Sequence, residues 1–273
     1  MALLEVKNLE VTFFQGNASK SVVKDLSFCT EQGEIVGIVG ESGSGKTQTA
    51  LSILQLLKDN AKITKGSIFF DGKEISAYDE KKMQSIRGKE IGMVFQEPMT
   101  ALNPLHTVGK QVEESMKLHL HLSKEDRKKR AIDFMKMVEL PNPEDVYHKY
   151  PHQLSGGMRQ RVMIASALCM EPKLLIADEP TTALDVTVQA QILRLLKKIN
   201  EEKKVSILFI SHDLGVVHKL CDRVLVMQNG KKVEEGSSEE IFHAPKEAYT
   251  KELLLAIPNR TTSLRKRRRE GME

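Results

Sequence analysis

A chain of 273 residues, 29% charged and 40% apolar, has enough material for one large domain or two modest ones around an ample core. Its formal net charge of +4, much of it gathered in Arg265-Lys266-Arg267-Arg268-Arg269, gives no general case for nucleic-acid binding. No apolar run approaches the ~20 residues needed to span a bilayer, so any membrane role is expected to run through partners.

Glu5 follows the start too closely for a secretory leader. Cys29, Cys169 and Cys221 form no C-x-x-C pair, and buried thiols in a reducing cytosol are expected. In chain order, residues 3–14 alternate apolar and polar through Leu9, Val11 and Phe13, the pattern of a half-buried strand. Val22 to Cys29 and Gly66 to Phe70 add two more strands, the last closed by an Asp71-Gly72 turn, and the set predicts an antiparallel layer. Ile35 to Val39 reads as a buried strand, and helical periodicity runs from Thr49 to Leu57. Ile91 to Gln96 is another short apolar strand.

From Glu97 the texture changes. Val108 to Leu120 and Lys124 to Val138 carry helical periodicity, and Pro141-Asn142-Pro143 breaks it. Alternation of helix and strand then resumes. A helix over 157–169 leads to Lys173–Asp178, a strand apolar on both faces and therefore central and parallel. Helix 187–200, strand Val205–Ile210, helix Leu214–Leu220 and strand Val224–Met227 follow, and Gln228 to Lys231 turns the chain into a hairpin through Val233. Two short helices, near 238–243 and 247–256, precede the basic run.

The chemistry starts at Gly40-Glu41-Ser42-Gly43-Ser44-Gly45-Lys46-Thr47, which fits G-x-x-x-x-G-K-[ST] between a strand and a helix, the context that motif requires. Glycines let successive N–H groups converge, and the helix start adds free donors and a positive dipole end, so a nucleoside triphosphate is the natural guest. Lys46 can reach the β- and γ-phosphates, and the Thr47 hydroxyl can ligate Mg²⁺. Asp178-Glu179 ends a buried strand beside this loop: Asp178 is placed to hold Mg²⁺ and Glu179 to polarise a water. Leu154-Ser155-Gly156-Gly157-Met158 is a second glycine-bearing helix start without a lysine, able to gather N–H groups on an anion but not to complete a site alone.

These segments, with Gln96, Ala183-Leu184-Asp185 and Ser211-His212-Asp213, occur in an order that resembles the ATP-binding subunits of ABC transporters over essentially the whole chain. The wording around Phe95-Gln96-Glu97-Pro98-Met99, Ser155–Arg161 and Ala177–Gln189 is closer still to the D-type ATPases of bacterial peptide and nickel importers. The resemblance implies an α/β fold: a RecA-like P-loop core with an antiparallel β layer and an inserted helical subdomain. Residues 1–257 would form the nucleotide-binding domain, with 1–96 and 159–240 as core, 97–158 as the helical insertion and 258–273 as a solvated tail.

The same resemblance implies ATP and Mg²⁺ as cofactors. Gly40 through Gln48 would cradle the phosphates, and Phe13, or its neighbour Phe14, would stack on adenine. Thr47, Asp178 and Gln96 would attend the metal, while Lys46, Gln96, Glu179 and His212 would serve hydrolysis. Ser155, Gly156 and Gly157 would meet the γ-phosphate held by an opposite subunit, with Asp185 bridging the two. Expected partners are a second ATPase subunit (an F-type relative or another copy), two transmembrane permeases and an extracytoplasmic solute-binding protein, at the cytoplasmic face of the cell membrane. The implied cargo is peptide, with nickel or a metal chelate as the alternative; a soluble non-transport ABC ATPase is the rival from another class. Two departures stand out: Met158 replaces the usual Gln, and the aromatic that stacks on adenine, often Tyr, is here Phe13 or Phe14. Separately, no cysteine follows Cys221, which weakens a strict peptide assignment and lifts the nickel or metallophore one. Ser211-His212-Asp213 is no hydrolytic triad, and His106, His119 and His121 read as surface histidines.

Overall fold

The computed structural model describes residues 2–182 and 184–257. Strands β1 (Ala2–Gln15) and β2 (Ala18–Glu31) make a long hairpin, and β3 (Ile35–Val39) feeds the phosphate loop and α1 (Lys46–Ile53). β4 (Ala61–Phe70) and β5 (Lys73–Glu74) return to the hairpin, and α2 (Glu80–Gln84) leads to β6 (Ile91–Val94). Five helices follow: α3 (Pro98–Ala101), α4 (Val108–Val112), α5 (Glu114–His119), α6 (Lys124–Met137) and α7 (Pro143–His148). The second half runs α8 (Gly156–Leu168), β7 (Leu174–Asp178), α9 (Val186–Lys203), β8 (Ser206–Ser211), α10 (Leu214–Leu220), β9 (Arg223–Gln228), β10 (Lys231–Ser237), α11 (Ser238–His243) and α12 (Ala248–Leu255).

Two sheets result, an antiparallel one in the order β2-β1-β4-β5 and a six-stranded one in the order β10-β9-β3-β8-β7-β6. In the larger sheet β9, β3, β8, β7 and β6 run parallel, and β10 is antiparallel at the edge. Its strands are apolar throughout because each face has its own core. Ile35, Val39, Leu175, Ala177, Ile207 and Phe209 point into the helical side, whereas Val36, Ile38, Leu174, Ile176, Leu208 and Ile210 point toward the antiparallel sheet. That period of two with both faces covered is what a continuous β-branched run encodes. Each fully buried Val, Leu, Ile or Phe among them contributes about 1.5–3 kcal/mol relative to exposure. β6 sits close under α8 because Gly92 lacks a side chain: a Cβ there would lie 2.3 Å from the Ala167 carbonyl oxygen.

Several boundaries differ from expectation. The helix expected over 49–57 spans Lys46–Ile53 instead, because Gly45 is its N-cap and Arg87 closes its far end. Arg87 Nε donates to Leu54 O at 2.8 Å and a terminal nitrogen donates to Gln55 O at 3.1 Å, satisfying carbonyls a longer helix would have used. The strand expected from Ile91 to Gln96 stops at Val94, leaving Phe95 and Gln96 in a loop. The helix expected from Val108 to Leu120 is interrupted at Glu113, whose carboxylate is buried against the Tyr147 hydroxyl and 3.6 Å from Arg127 Nε. Pro143 occupies the first turn of α7, so the Pro-Asn-Pro break is also a helix start. Cys169 and Cys221 are buried, with their thiols pushed up by burial, the former to about 12, whereas Cys29 is only half-buried. The basic tail and Ala183 lie outside the described residues. Among the described residues, no helix is long and apolar enough to cross a membrane.

Candidate functional site

β8 lies between β3 and β7, so the carboxyl ends of three neighbouring strands deliver the loop lysine, the histidine and the acidic pair to one edge. The loop after β3 depends on glycine most clearly at Gly45, where φ is 101° and a Cβ would stand 2.7 Å from Val22 O of the hairpin. Lys46 is only 4% exposed and folds back over the loop, its Nζ donating to Gly40 O at 2.8 Å and Glu41 O at 2.9 Å. Burial lowers its pKa, against the opposing pull of Glu179 and Asp178.

Thr47 Oγ1 donates to Asp178 Oδ1 at 3.2 Å. Asp178 is 2% exposed, and burial pushes its carboxyl up to about 6, the nearby Glu179 charge adding to the rise, with the Thr47 hydrogen bond and Lys46 pulling down. A buried carboxylate paired with a hydroxyl, both hard oxygen donors at the mouth of an anion cradle, fits a Mg²⁺ ion.

That buried charge makes a stability prediction. The folded carboxyl titrates near 6 and the unfolded one near 3.8, so the cost of ionising it is absent in acid and grows as pH rises through that window. Asp178→Asn is therefore expected to stabilise the nucleotide-free chain by about 1–2 kcal/mol at pH 8. The gain should shrink as pH is lowered toward 4. Thermal melts of the two proteins across pH test this, and a variant that melts below the parent at pH 8 refutes it.

Glu179 departs from the strand with φ of 46°, a left-handed backbone that is uncommon for a residue with a side chain. Its N–H is satisfied by Ile210 O at 2.9 Å, and the turn throws the carboxylate sideways. There Oε2 accepts from Gln96 Nε2 at 3.1 Å and Thr182 Oγ1 at 2.9 Å, and meets His212 Nδ1 at 3.1 Å. The loop after β6, the end of β7 and the end of β8 thus meet at one oxygen. Ser211 and Asp213 play no part in it: the Ser211 hydroxyl accepts from Asp213 N, and Asp213 caps α10.

Other sequence-picked residues lie on separate elements. Ser155 is the N-cap of α8, its hydroxyl accepting from Met158 N at 3.3 Å. Asp185 is the N-cap of α9, accepting from Thr187 N at 3.0 Å and Val188 N at 2.9 Å. The two caps are neighbours, since a methyl added to Gly157 would sit 2.8 Å from Val188 Cγ1. These bonds are local ones, and Ser155 and Gly156 are exposed. Met158, in place of the expected Gln, packs against the helical-side core. Phe13 is half-buried in β1 opposite Lys20 and Ala61, while Phe14 is 42% exposed. His119 is bonded to Arg87 O at 3.1 Å rather than grouped with His106 and His121 as a ligand set. Sequence reasoning missed Tyr249 of α12, whose hydroxyl accepts from Glu41 N at 3.1 Å. Its sole sequence signal is an aromatic at the start of the last helix.

Comparison with known proteins identifies the family. The family described as ABC transporter matches residues 23–182. The oligopeptide transport ATP-binding protein OppD of Bacillus subtilis is 49% identical over 262 residues, covering 96% of this chain and 73% of OppD. The peptidoglycan transport ATP-binding protein YejF of Agrobacterium fabrum is 51% identical over 257 residues, 94% of this chain, which spans 47% of that relative's length. Among solved structures, the dimeric post-hydrolysis state of the ATP-binding cassette MJ0796 bound to ADP and Pi superposes with a TM-score of 0.78 at 34% identity, over 86% of this chain and 98% of the cassette. Strand order, phosphate loop and kinship point the same way, and the chain belongs to the ABC transporter family as an ATP-binding ATPase.

Proposed function

We propose that this chain is the ATP-hydrolysing subunit of a bacterial importer that takes up peptides. The observation that carries the catalytic reading is the meeting of Gln96, Glu179 and His212 at one carboxylate oxygen, beside a buried lysine and a Thr47–Asp178 pair. The N–H groups from Gly43 to Gln48 and the Lys46 ammonium hold the β- and γ-phosphates of ATP. Thr47 and Asp178 hold Mg²⁺, with Gln96 beside it; when bound, the ion neutralises charge on the phosphate oxygens. Glu179 orients the attacking water, and His212 donates to the γ-phosphate as charge develops.

Ser155, Gly156 and Gly157 close over the ATP of a second ATPase subunit, and Asp185 sits at the seam between the two. The exposed α8 start and the dimeric arrangement of MJ0796 support this pairing. Phe13 stacks on adenine in this reading. Permease contact is supported by the groove beside Gln96, where Leu56, Phe95 and Leu118 are 37%, 42% and 76% exposed. The subunit works at the cytoplasmic face of the membrane as a peripheral component.

The peptide cargo is supported by the OppD and YejF names, which speak for peptide-bearing cargo rather than nickel. Deleting this chain in a cell that retains the other transporter subunits is expected to abolish uptake of a labelled oligopeptide and to leave nickel uptake intact. The opposite pattern overturns the cargo. An assembled complex that releases no phosphate from MgATP overturns the catalytic reading.

A further inference from the structure

Tyr249 stands 208 residues from Glu41 in sequence, yet its hydroxyl takes the Glu41 N–H at 3.1 Å. The carbonyl of that same peptide unit, Gly40 C=O, receives Lys46 Nζ at 2.8 Å. A peptide unit is a rigid plane whose N–H and C=O point in opposite directions, so fixing one edge fixes the other. The tyrosine therefore sets the direction of a carbonyl on which the buried ammonium rests.

The tyrosine is itself held firmly. Its ring is 8% exposed within the helical-side core. The approach to α12 is pinned by Glu234 of β10, whose two carboxylate oxygens accept from Lys246 N at 2.7 Å and Glu247 N at 3.2 Å. The hydroxyl is thus delivered from the sheet edge to the loop through one short, tethered segment.

We propose that Tyr249 is a positioning residue for the phosphate-binding lysine, acting through the Gly40–Glu41 peptide plane on nucleotide affinity. The inference rests on reading the loop as the ATP site. Without the hydroxyl the peptide is free to turn, Lys46 keeps one fixed carbonyl instead of two, and the ammonium spreads over more positions. Binding of ATP and ADP suffers, while turnover at saturation changes little, because bound phosphate itself re-seats the Lys46 ammonium and Glu179 and His212 are untouched.

The test uses the full chain and Tyr249→Phe, which keeps the ring and removes only the hydroxyl. Calorimetric titration with MgATP and MgADP is expected to show both bound about threefold to tenfold more weakly. In the assembled ATPase, KM for ATP rises by a similar factor with kcat within about twofold of the parent. The nucleotide-free melting temperature stays within about 2 °C. A Phe variant that binds both nucleotides like the parent overturns the inference while leaving the ATP site intact. A lowered melting temperature with unchanged affinity makes Tyr249 a packing residue and overturns it equally. A parent chain that binds neither nucleotide brings down the ATP-site reading, and this inference with it.

Discussion

Glu179→Gln is expected to cut ATP turnover by about 100- to 10,000-fold, the range for losing a positioned base, while ATP still binds. The substitution conserves volume, and Gln tolerates the left-handed backbone about as well as Glu, so the fold at the end of β7 should hold. It removes the carboxylate charge that faces His212 Nδ1 and Gln96 Nε2 but leaves Lys46 and the glycine loop alone. ATP should therefore accumulate unhydrolysed between two ATPase subunits. Phosphate release measures the first effect, and gel filtration with MgATP shows the second as a stable pair. Turnover close to that of the parent would remove Glu179 from the role given to it.

Lys46→Ala is expected to weaken MgATP binding by about 10- to 100-fold, the worth of one or two charge-assisted hydrogen bonds to phosphate, and to abolish measurable turnover. The nucleotide-free chain should melt no lower than the parent. Burial already works against this ammonium, so taking it away relieves a desolvation cost even as Gly40 O and Glu41 O lose their donor. Thermal shift with and without MgATP separates the two effects. An Ala variant stabilised by MgATP as strongly as the parent would contradict the site.

Much of this was readable from residues alone. Strand runs such as Ile35–Val39 and Leu174–Ala177 stand out because burial on both faces leaves no polar residue within them. The glycine loop and the acidic pair were identifiable because their spacing and flanks are tightly constrained, whereas His212 was picked out only by the family resemblance. Helix ends were less legible. α1 stops at Ile53 because Arg87, 33 residues beyond Leu54, caps it, and no local window contains that information. The interruption at Glu113 likewise reflects a buried carboxylate meeting Tyr147 and Arg127. Tyr249 was invisible for the same reason: nothing near it in sequence says that its hydroxyl reaches Glu41. Long-range hydrogen bonds decide these details, and they leave no periodic trace.

Glu179 has Oε2 committed to Gln96, Thr182 and His212 in the lone chain. In the proposed mechanism the attacking water shares that oxygen with side chains drawn from the loops after β6, β7 and β8. A displacement of any one of those loops therefore reaches the carboxylate directly.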